Sequence, residues 1–308
     1  LDDNAQLFIF EKFIKKGYLI ANINLKFDEQ GNIRKNFVVN GLLKDGEIKT
    51  FKDLNFSKIN FNFNLRNNNY NFEDIELILN TKNLFFPELN IEKKNKKYLF
   101  SGKNINKDIS LNENQIKKNF NYDFNIFKIS NTVFDLDNEF SFLIDKNYRF
   151  KNLKINSNLN LKKMNLLNQL DLKEFFPEIK NNLELSNHKI KINFDKNSLS
   201  LKGNGKILIQ KEPDFIEYDV FKSKKNLKFN TLININKNLF NINFLNFNKN
   251  QNSNLNLSFN GKKNLISNEI SFKNFIIEEK NNIIDVQNLF LSKDKKIKFI
   301  DKVNLDYL

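Results

Sequence analysis

Apolar and polar side chains alternate along most of the chain. Residues 59–66 read Ile-Asn-Phe-Asn-Phe-Asn-Leu-Arg, and the same alternation recurs in segments 19–27, 120–126, 190–194, 199–201, 240–244 and 255–259. Successive side chains of a β-strand point to opposite faces, so each segment places its apolar residues on one face and its Asn and Lys on the other. The pattern predicts antiparallel sheets with one wet face, and therefore an all-β protein.

Polar, turn-prone residues separate the alternating segments. Segments 28–32, 44–47 and 195–198 each contain Asp together with Asn or Gly and are predicted to reverse the chain. Their spacing predicts on the order of twenty strands. The expected architecture is a long curled antiparallel meander that forms a β-groove, with one or two short helices.

Two segments have helical periodicity. Residues 3–16 carry an apolar stripe that ends at Gly17, and residues 164–176 stop before Pro177. The predicted organisation begins with a short amphipathic helix at 1–17, followed by a first groove half at 18–162. A helical junction at 163–181 then leads to a second groove half at 182–308.

The four residues Phe-Phe-Pro-Glu occur twice, at 85–88 and at 175–178. Two copies about ninety residues apart suggest an internal repeat of the kind that builds repeating architectures. Chance is the alternative interpretation in a chain with 34 Phe.

The apolar faces of so many strands must be covered, because large exposed apolar patches are unstable in water. Two sheets could pack as a sandwich, or a sheet could close on itself within an outer membrane with lipid outside. The third solution is a groove whose apolar lining holds lipid chains. The absence of Trp and of a Pro/Ser-rich linker favours the groove.

The predicted lining consists of apolar residues at alternating positions, and two glycines are expected to let a strand kink. The predicted groove contacts are Ile23, Leu25, Phe61, Phe63, Phe124, Ile190, Ile192, Phe194, Leu199, Leu201, Ile242, Phe244, Leu255 and Leu257, and the predicted kink glycines are Gly203 and Gly205.

The net charge is +14, which by itself suggests nucleic acid or an anionic membrane surface as a partner. Arginine, however, occurs only at Arg34, Arg66 and Arg149, and its planar guanidinium is the group that nucleic-acid readers prefer. The excess of Lys, Asn, Ile and Phe follows the codon bias of an AT-rich genome. We therefore interpret the lysines as solvated strand faces and turns, and predict no nucleic-acid partner.

The residue inventory argues against catalysis. There is no Cys and one His, His188, which excludes thiolate nucleophiles and multi-His metal sites. His188 is interpreted as an ordinary surface or strand-edge residue. Asp135, Asp137 and Glu139 are close in sequence but lack the spacing of a calcium loop, so we interpret them as solvated charges. The prediction is a protein that is not an enzyme and has no cofactor or metal.

No segment approaches the roughly 18 consecutive apolar residues of a membrane-spanning helix. Because the chain begins at Leu1 rather than Met, we expect it to be a fragment or a processed form. The lack of Cys is compatible with an oxidising compartment.

Three stretches resemble a known family. Residues 199–207 (LSLKGNGKI) carry apolar positions around two glycines, residues 254–261 (NLNLSFNG) end a strand at a glycine, and residues 281–301 form a closing meander. Residues 39–48 fit more loosely. In these features the chain resembles the AsmA/TamB/YhdP superfamily of bacterial envelope proteins, in particular its AsmA-like C-terminal region.

The resemblance implies a twisted β-groove in the periplasm, tethered to the inner membrane by a segment outside this chain. It implies a non-enzymatic, lipid-binding role in outer-membrane biogenesis, in which phospholipid acyl chains are the partners during transport between the inner and outer membranes. The chain departs from the family in its short length and in lacking a membrane anchor. The alternative is a β-sandwich or adhesin-like protein with a structural or surface-interaction role.

Overall fold

The structure is a computed structural model of the chain, and it describes most of the residues. The described residues are 14–32, 34, 36–49, 55–66, 69–94, 97–115, 127–147, 149–168, 171–250 and 252–306.

β-Strands dominate the described residues. The first eight are β1 (Ile14–Asn24), β2 (Val38–Lys49), β3 (Asn55–Arg66), β4 (Asn69–Leu79), β5 (Lys82–Lys94), β6 (Lys97–Asn112), β7 (Phe127–Ile144) and β8 (Phe150–Asn168). The next are β9 (Asn182–Asp195), β10 (Ser198–Leu208), β11 (Asp214–Lys222), β12 (Asn226–Ile235), β13 (Asn241–Ile242) and β14 (Phe247–Asn248), with a 3₁₀ turn at Asn243–Leu245 between the last two. The remaining strands are β15 (Leu255–Asn264), β16 (Ile270–Glu279), β17 (Asn282–Leu291), β18 (Ile297–Phe299) and β19 (Lys302–Asp306).

The strands follow one another as an antiparallel meander. Strands β1 to β6 pair in chain order, and so do β9 to β12. Strand β12 pairs with β15, β15 with β16, and β16 with β17, which pairs with both β18 and β19. The structure thus confirms the predicted fold class, an all-β antiparallel meander.

The chain divides into two compact units. Unit 1 comprises Leu1–Lys107 and Leu136–Asn156, and unit 2 comprises Asp108–Asp135 and Ser157–Leu308. Strands β6, β7 and β8 each contribute residues to both units. The predicted groove halves, 18–162 and 182–308, therefore have other bounds than these compact units, and they stay a prediction.

Unit 1 is held together by a small apolar core and by stacked phenylalanines. Phe142 stacks on Phe100 with ring centroids 4.8 Å apart and on Phe150 with centroids 4.0 Å apart. Such aromatic contacts add about 0.5–1.5 kcal/mol each beyond area burial. The buried apolar residues of this unit are Leu43, Ile59, Phe63 and Ile75.

Both predicted helices are wrong where the structure describes them. Residues 1–13 of the N-terminal segment lie outside the described residues, but Ile14 already begins β1 and pairs with Ile48 of β2. At the predicted junction, β8 continues to Asn168, and turns follow in residues 171–180. In both places pairing with a neighbouring strand outweighs the helical periodicity of the sequence, because that strand supplies hydrogen-bond partners for the backbone N–H and C=O groups.

The turn predicted at 44–47 is also wrong, because these residues lie inside β2. The register of β2 and β3 shifts between Leu43 and Gly46, and Asp45 has a positive φ of 53°. The backbone N–H of Asp45 donates a hydrogen bond to Oδ1 of Asn60 over 2.9 Å. The polar cluster thus marks a β-bulge rather than a reversal of the chain.

The two Phe-Phe-Pro-Glu segments have different structures. Residues 85–88 lie within β5, whereas residues 175–178 lie in the turns before β9. The described structure therefore gives the two copies no common repeat unit.

Candidate functional site

Unit 2 carries a continuous apolar face that spans β9 to β17. Residues opposite each other in neighbouring antiparallel strands share a face, so the registers define rows of side chains across the sheet. The first row contains Ile216, Ile233, Leu257, Ile277 and Ile284, and the second contains Tyr218, Thr231, Phe259, Phe275 and Val286. The third contains Ile192, Leu201, Val220, Phe229, Gly261, Phe272 and Leu289, and the fourth contains Phe194, Leu199, Lys222, Leu227, Lys263, Ile270 and Leu291.

The opposite face of these strands is mostly polar, although it also carries Phe215, Phe221, Ile283 and Phe290, which are 39–41% exposed. One of its rows, which lies between the third and fourth rows of the apolar face, begins with Asn193 and Ser200. Another consists of Lys191, Lys202, Asp219, Asn230, Asn260, Asn274 and Gln287. The two faces together explain the period-two pattern of the sequence.

One end of the apolar face is covered by the protein itself. Segments 171–181 and 236–254 supply Phe176, Phe240, Ile242 and Phe247, which form one buried cluster with sheet residues such as Ile235 and Leu255. Backbone hydrogen bonds hold both segments in place, from the Asn241 N–H to the Phe175 carbonyl over 3.0 Å and from the Lys180 N–H to the Ile209 carbonyl over 2.9 Å. We call this region the closed end.

Buried polar groups fix the longer covering segment. Asp214 accepts hydrogen bonds from the Asn236 N–H over 3.1 Å and from Nδ2 of Asn238 over 2.7 Å. Burial raises the pKa of Asp214 above its ordinary value, while the hydrogen bonds from Asn238 and Asn236 oppose that shift. The carboxylate thus anchors the chain directly after β12.

A lysine and a glutamate anchor the end of the same segment. Lys249 donates from Nζ to the carbonyl of Asn250 over 3.0 Å, and Glu279 accepts from the Asn250 N–H over 2.7 Å and from the Ser253 hydroxyl. Burial lowers the pKa of Lys249, and the charge of Glu279 opposes the shift. Because both groups are buried and hydrogen-bonded to the covering segment, they act as structural anchors.

Towards the opposite end, the apolar face becomes half-exposed. The connections at that end are residues 196–197, 223–225, 265–269 and 292–296, and we call it the open end. Phe229 lies 5.5 Å from Phe272 and 6.1 Å from Phe259 between ring centroids. The buried cluster of the closed end reaches Phe259 and Phe275 but includes neither Phe229 nor Phe272 among the described residues.

The five predicted lining residues of β9 and β10 lie together on this face. Leu199 stands opposite Phe194, Leu201 opposite Ile192, and Gly203 opposite Ile190. All five apolar side chains are half-buried. The structure therefore brings this part of the predicted set into one surface.

Other predicted residues of unit 2 belong to the closed end. Ile242, Leu255 and Leu257 are 4%, 0% and 6% exposed, and they pack within the buried cluster. Their contacts are with the protein, so they form its core rather than an accessible lining. Phe244 lies in the 3₁₀ turn, and its side chain is outside the described part of the chain.

The predicted residues of unit 1 that the structure describes lie in β1, directly after it, and in β3. Phe63 is buried and Phe61 half-buried, and the ring of Phe61 lies 5.4 Å from that of Phe72. Ile23 lies in β1 opposite Val39 and is 63% exposed. Leu25 follows β1 and is also exposed, whereas Phe124 lies outside the described residues.

The two predicted kink glycines provide space for rings. A Cβ at Gly203 would lie 2.7 Å from the hydroxyl of Tyr218, and a Cβ at Gly205 would lie 2.3 Å from Cδ2 of His188. The pairing of β9 with β10 shifts register between Asn204 and Lys206, and the extra residue lies in β9, so a bulge of β9 stands opposite Gly205. Close approach of side chains, together with this bulge, accounts for the glycines.

His188 is buried, at 1% exposure, so its interpretation as a surface or strand-edge residue is wrong. Its Nε2 lies 2.9 Å from the carbonyl of Lys206, and its Nδ1 lies 3.0 Å from the hydroxyl of Tyr218. The carbonyl can only accept, so Nε2 carries the proton and the Tyr218 hydroxyl donates to Nδ1. Burial lowers the pKa of His188 and raises the pKa of Tyr218 to about 12, so both groups are neutral.

Two of the three clustered carboxylates of β7, those of Asp135 and Asp137, are ion-paired. In unit 2, Asp135 lies 2.8 Å from Nζ of Lys162, and in unit 1, Asp137 lies 3.4 Å from Nζ of Lys103. Across the described residues, no group of three or more His, Cys, Asp or Glu side chains is placed to hold a metal ion.

The lining predicted from the sequence did not include the phenylalanines of β12, β15 and β16 on the apolar face. Leu227, Phe229 and Thr231 alternate regularly with polar residues, so the signal for this strand was present. Phe272 and Phe275 share the face although they are three residues apart, because the register of β15 and β16 shifts at that point. Such a shift depends on the neighbouring strand and has no period-two signature.

None of the helical segments in the described part of the chain has the length and apolar character that crossing a membrane requires. Comparison with protein-family models, with curated protein sequences and with solved structures finds no match.

Proposed function

We propose that the chain is a non-enzymatic lipid-binding protein whose apolar sheet faces shield phospholipid acyl chains from water. The observation that carries the proposal is the half-exposed apolar face of unit 2, which continues from β9 to β17 and is backed by a mostly polar face. Apolar surface of this extent normally marks a site for a partner or a ligand.

The place proposed for this binding is the periplasm, in the transport of phospholipids between the inner and outer membranes. This part of the proposal rests on the family resemblance of the sequence. Acyl chains need no specific polar partner, so repeated weak contacts with Phe, Ile and Leu suffice to hold them and to let them move.

The test replaces a cross-strand pair on the apolar face and a matched pair on the polar face. Ile192→Asp with Leu201→Asp places two carboxylates on the proposed lining, and Asn193→Asp with Ser200→Asp places two on the opposite face of the same strands. Each protein is purified without detergent, and its organic extract is analysed by mass spectrometry. Circular dichroism measures the β content.

We expect stoichiometric phospholipid in extracts of the unchanged protein and of the polar-face variant. The apolar-face variant should retain less than about a tenth of it with its β content intact, because an unpaired carboxylate strongly disfavours apolar surroundings. A lipid-free, monodisperse unchanged protein would overturn the proposal and favour the β-sandwich or adhesin-like alternative. Full retention by the apolar-face variant would overturn the assignment of the face.

A further inference from the structure

The apolar face of unit 2 differs at its two ends. At the closed end, Ile233 and Ile277 are buried beneath the protein's own covering segments. At the open end, the last row is half-exposed and carries Lys222 and Lys263 on either side of Leu227. An extended molecule lying along the strands therefore meets a wall at one end and cationic groups at the other.

The two lysines are the charged members of the rows that form the apolar face. Lys222 stands opposite Leu227 from β11, and Lys263 stands opposite it from β15. A lysine can lay its methylene stem along apolar surface and hold its ammonium at the rim. Ammonium groups in such positions attract anionic lipid headgroups.

The length of the face matches an acyl chain. Leu227 and Thr231, which lies in the last row before the buried cluster, are four residues apart on β12, which corresponds to about 13 Å at roughly 3.3 Å per residue. Half of a bilayer's hydrocarbon core is about 15 Å thick. One acyl chain can therefore lie along the face between the lysine row and the closed end.

We propose that unit 2 is a one-ended site for an anionic phospholipid, which binds with its headgroup at the Lys222 and Lys263 row and its acyl chain directed towards the closed end. The lipid enters and leaves at the open end. This inference rests on the proposed lipid-binding function, and it adds the charge of the ligand and its direction.

The direction can be measured with single tryptophans, because the chain has no Trp of its own. Leu227→Trp reports from the lysine row, and Phe259→Trp reports from the row next to the buried cluster, about 13 Å further along the strands. Each variant is loaded with phosphatidylglycerol that carries a nitroxide quencher either near the headgroup or near the methyl end of one acyl chain.

We expect the headgroup-proximal nitroxide to quench the tryptophan at 227 more strongly, and the methyl-end nitroxide to quench the tryptophan at 259 more strongly. Equal or reversed quenching with lipid bound would overturn the direction while leaving the proposed function standing. Absence of lipid from both variants and from the unchanged protein would overturn the direction and the function together.

A charge-reversal pair tests the headgroup contact independently. Lys222→Glu with Lys263→Glu changes the lysine row, and Lys228→Glu with Lys262→Glu changes a cross-strand pair on the opposite face. The first variant should bind phosphatidylglycerol at least about tenfold more weakly, since its carboxylates would repel the headgroup that the lysines attract, and it should bind uncharged diacylglycerol unchanged. Equal weakening in both variants would overturn the assignment of the headgroup to this row.

Discussion

At the scale of residues, the abundance of Asn has a structural use in this chain. Thirteen non-glycine residues of the described part have positive φ, among them six Asn and three Asp, whereas Gly17 and Gly31 are the glycines that do. Asn and Asp tolerate the left-handed region better than other residues with a Cβ. One of them, Asp108, donates its N–H to Oδ1 of Asp135 on a neighbouring strand over 2.8 Å. Bulges and turns are thus built largely without glycine.

Two buried asparagines show another use of the same side chain in unit 1. Asn106 accepts a hydrogen bond from the Phe85 N–H over 2.9 Å, and Asn104 donates to the Phe85 carbonyl over 3.2 Å. The two amides are joined to each other over 2.7 Å. Among the described residues, the backbone pairing of β5 with β6 does not extend to Phe85. There the two asparagine side chains bind the backbone N–H and C=O that a neighbouring strand would otherwise bind.

His188 should make the stability of the protein depend on pH. Its folded-state pKa is lowered, so the unfolded chain binds the proton more readily. The resulting contribution to the free energy of unfolding is fully present above the unfolded pKa of about 6.5 and is lost as the pH falls through and below that value. One proton can change this free energy by at most about 1.4 kcal/mol per pH unit.

Urea unfolding between about pH 7.5 and pH 5 measures this dependence. We expect the unchanged protein to lose stability on acidification, and His188→Gln to lose less over the same interval. The comparison uses the slope with pH, so a lower overall stability of the variant does not affect it. Identical slopes in the two proteins would contradict the assignment.

At the scale of elements, the covering segment between β12 and β15 should be a large source of stability. Phe240 is 2% exposed and lies 5.3 Å from Phe176 between ring centroids. Phe240→Ala should lower the free energy of unfolding by about 3–5 kcal/mol, as for other buried phenylalanines.

Phe221→Ala is the matched control, because Phe221 is 41% exposed on the polar face of the same unit. Its effect on urea unfolding should stay within about 1 kcal/mol. Similar losses in the two variants would contradict the closed end as a packed core.

The elements also show what the sequence could predict. Alternation located Leu199, Leu201 and their β9 partners on one face, because the period of a strand is local information. It could not distinguish Leu255, which is fully buried, from Leu201, which is half-buried. That difference is made by segments 171–181 and 236–254, whose packing depends on contacts between residues distant in sequence.

Polar interruptions were the other source of error. The cluster around Asp45 has the composition of a turn, yet it is a bulge inside β2. Buried His188 also gave no local signal, because its partners, Lys206 and Tyr218, come from two other strands. Cross-strand register decides both cases, and no single segment contains it.

At the scale of the whole molecule, the net charge of +14 should produce a second, weaker association with membranes. Added salt distinguishes this surface association from lipid held on the apolar face, because salt screens the attraction between charges. The Debye length falls from about 10 Å at 0.1 M to about 3 Å at 1 M salt. Co-sedimentation with phosphatidylglycerol vesicles should decrease several-fold over this range, since surface attraction is electrostatic.

Uncharged diacylglycerol loaded on the protein and recovered in organic extracts should stay constant over the same range of salt, because it offers no charge for the lysine row to attract. Burial of apolar surface does not depend on the attraction that salt screens. Vesicles of uncharged phosphatidylcholine serve as the control, and they should bind little protein at any salt concentration. Loss of extracted lipid in parallel with co-sedimentation would contradict an apolar binding site.

The bulges of unit 1 also bear on solubility. Strands rich in Phe, Ile and Asn have the composition that stacks into cross-β fibrils, and stacking requires flat strands in uninterrupted register. Asp45, Lys58 and Asp74 interrupt the register of β2, β3 and β4, and bulged strands twist away from a flat edge. The residues that shape these strands thereby also guard the chain against fibril formation.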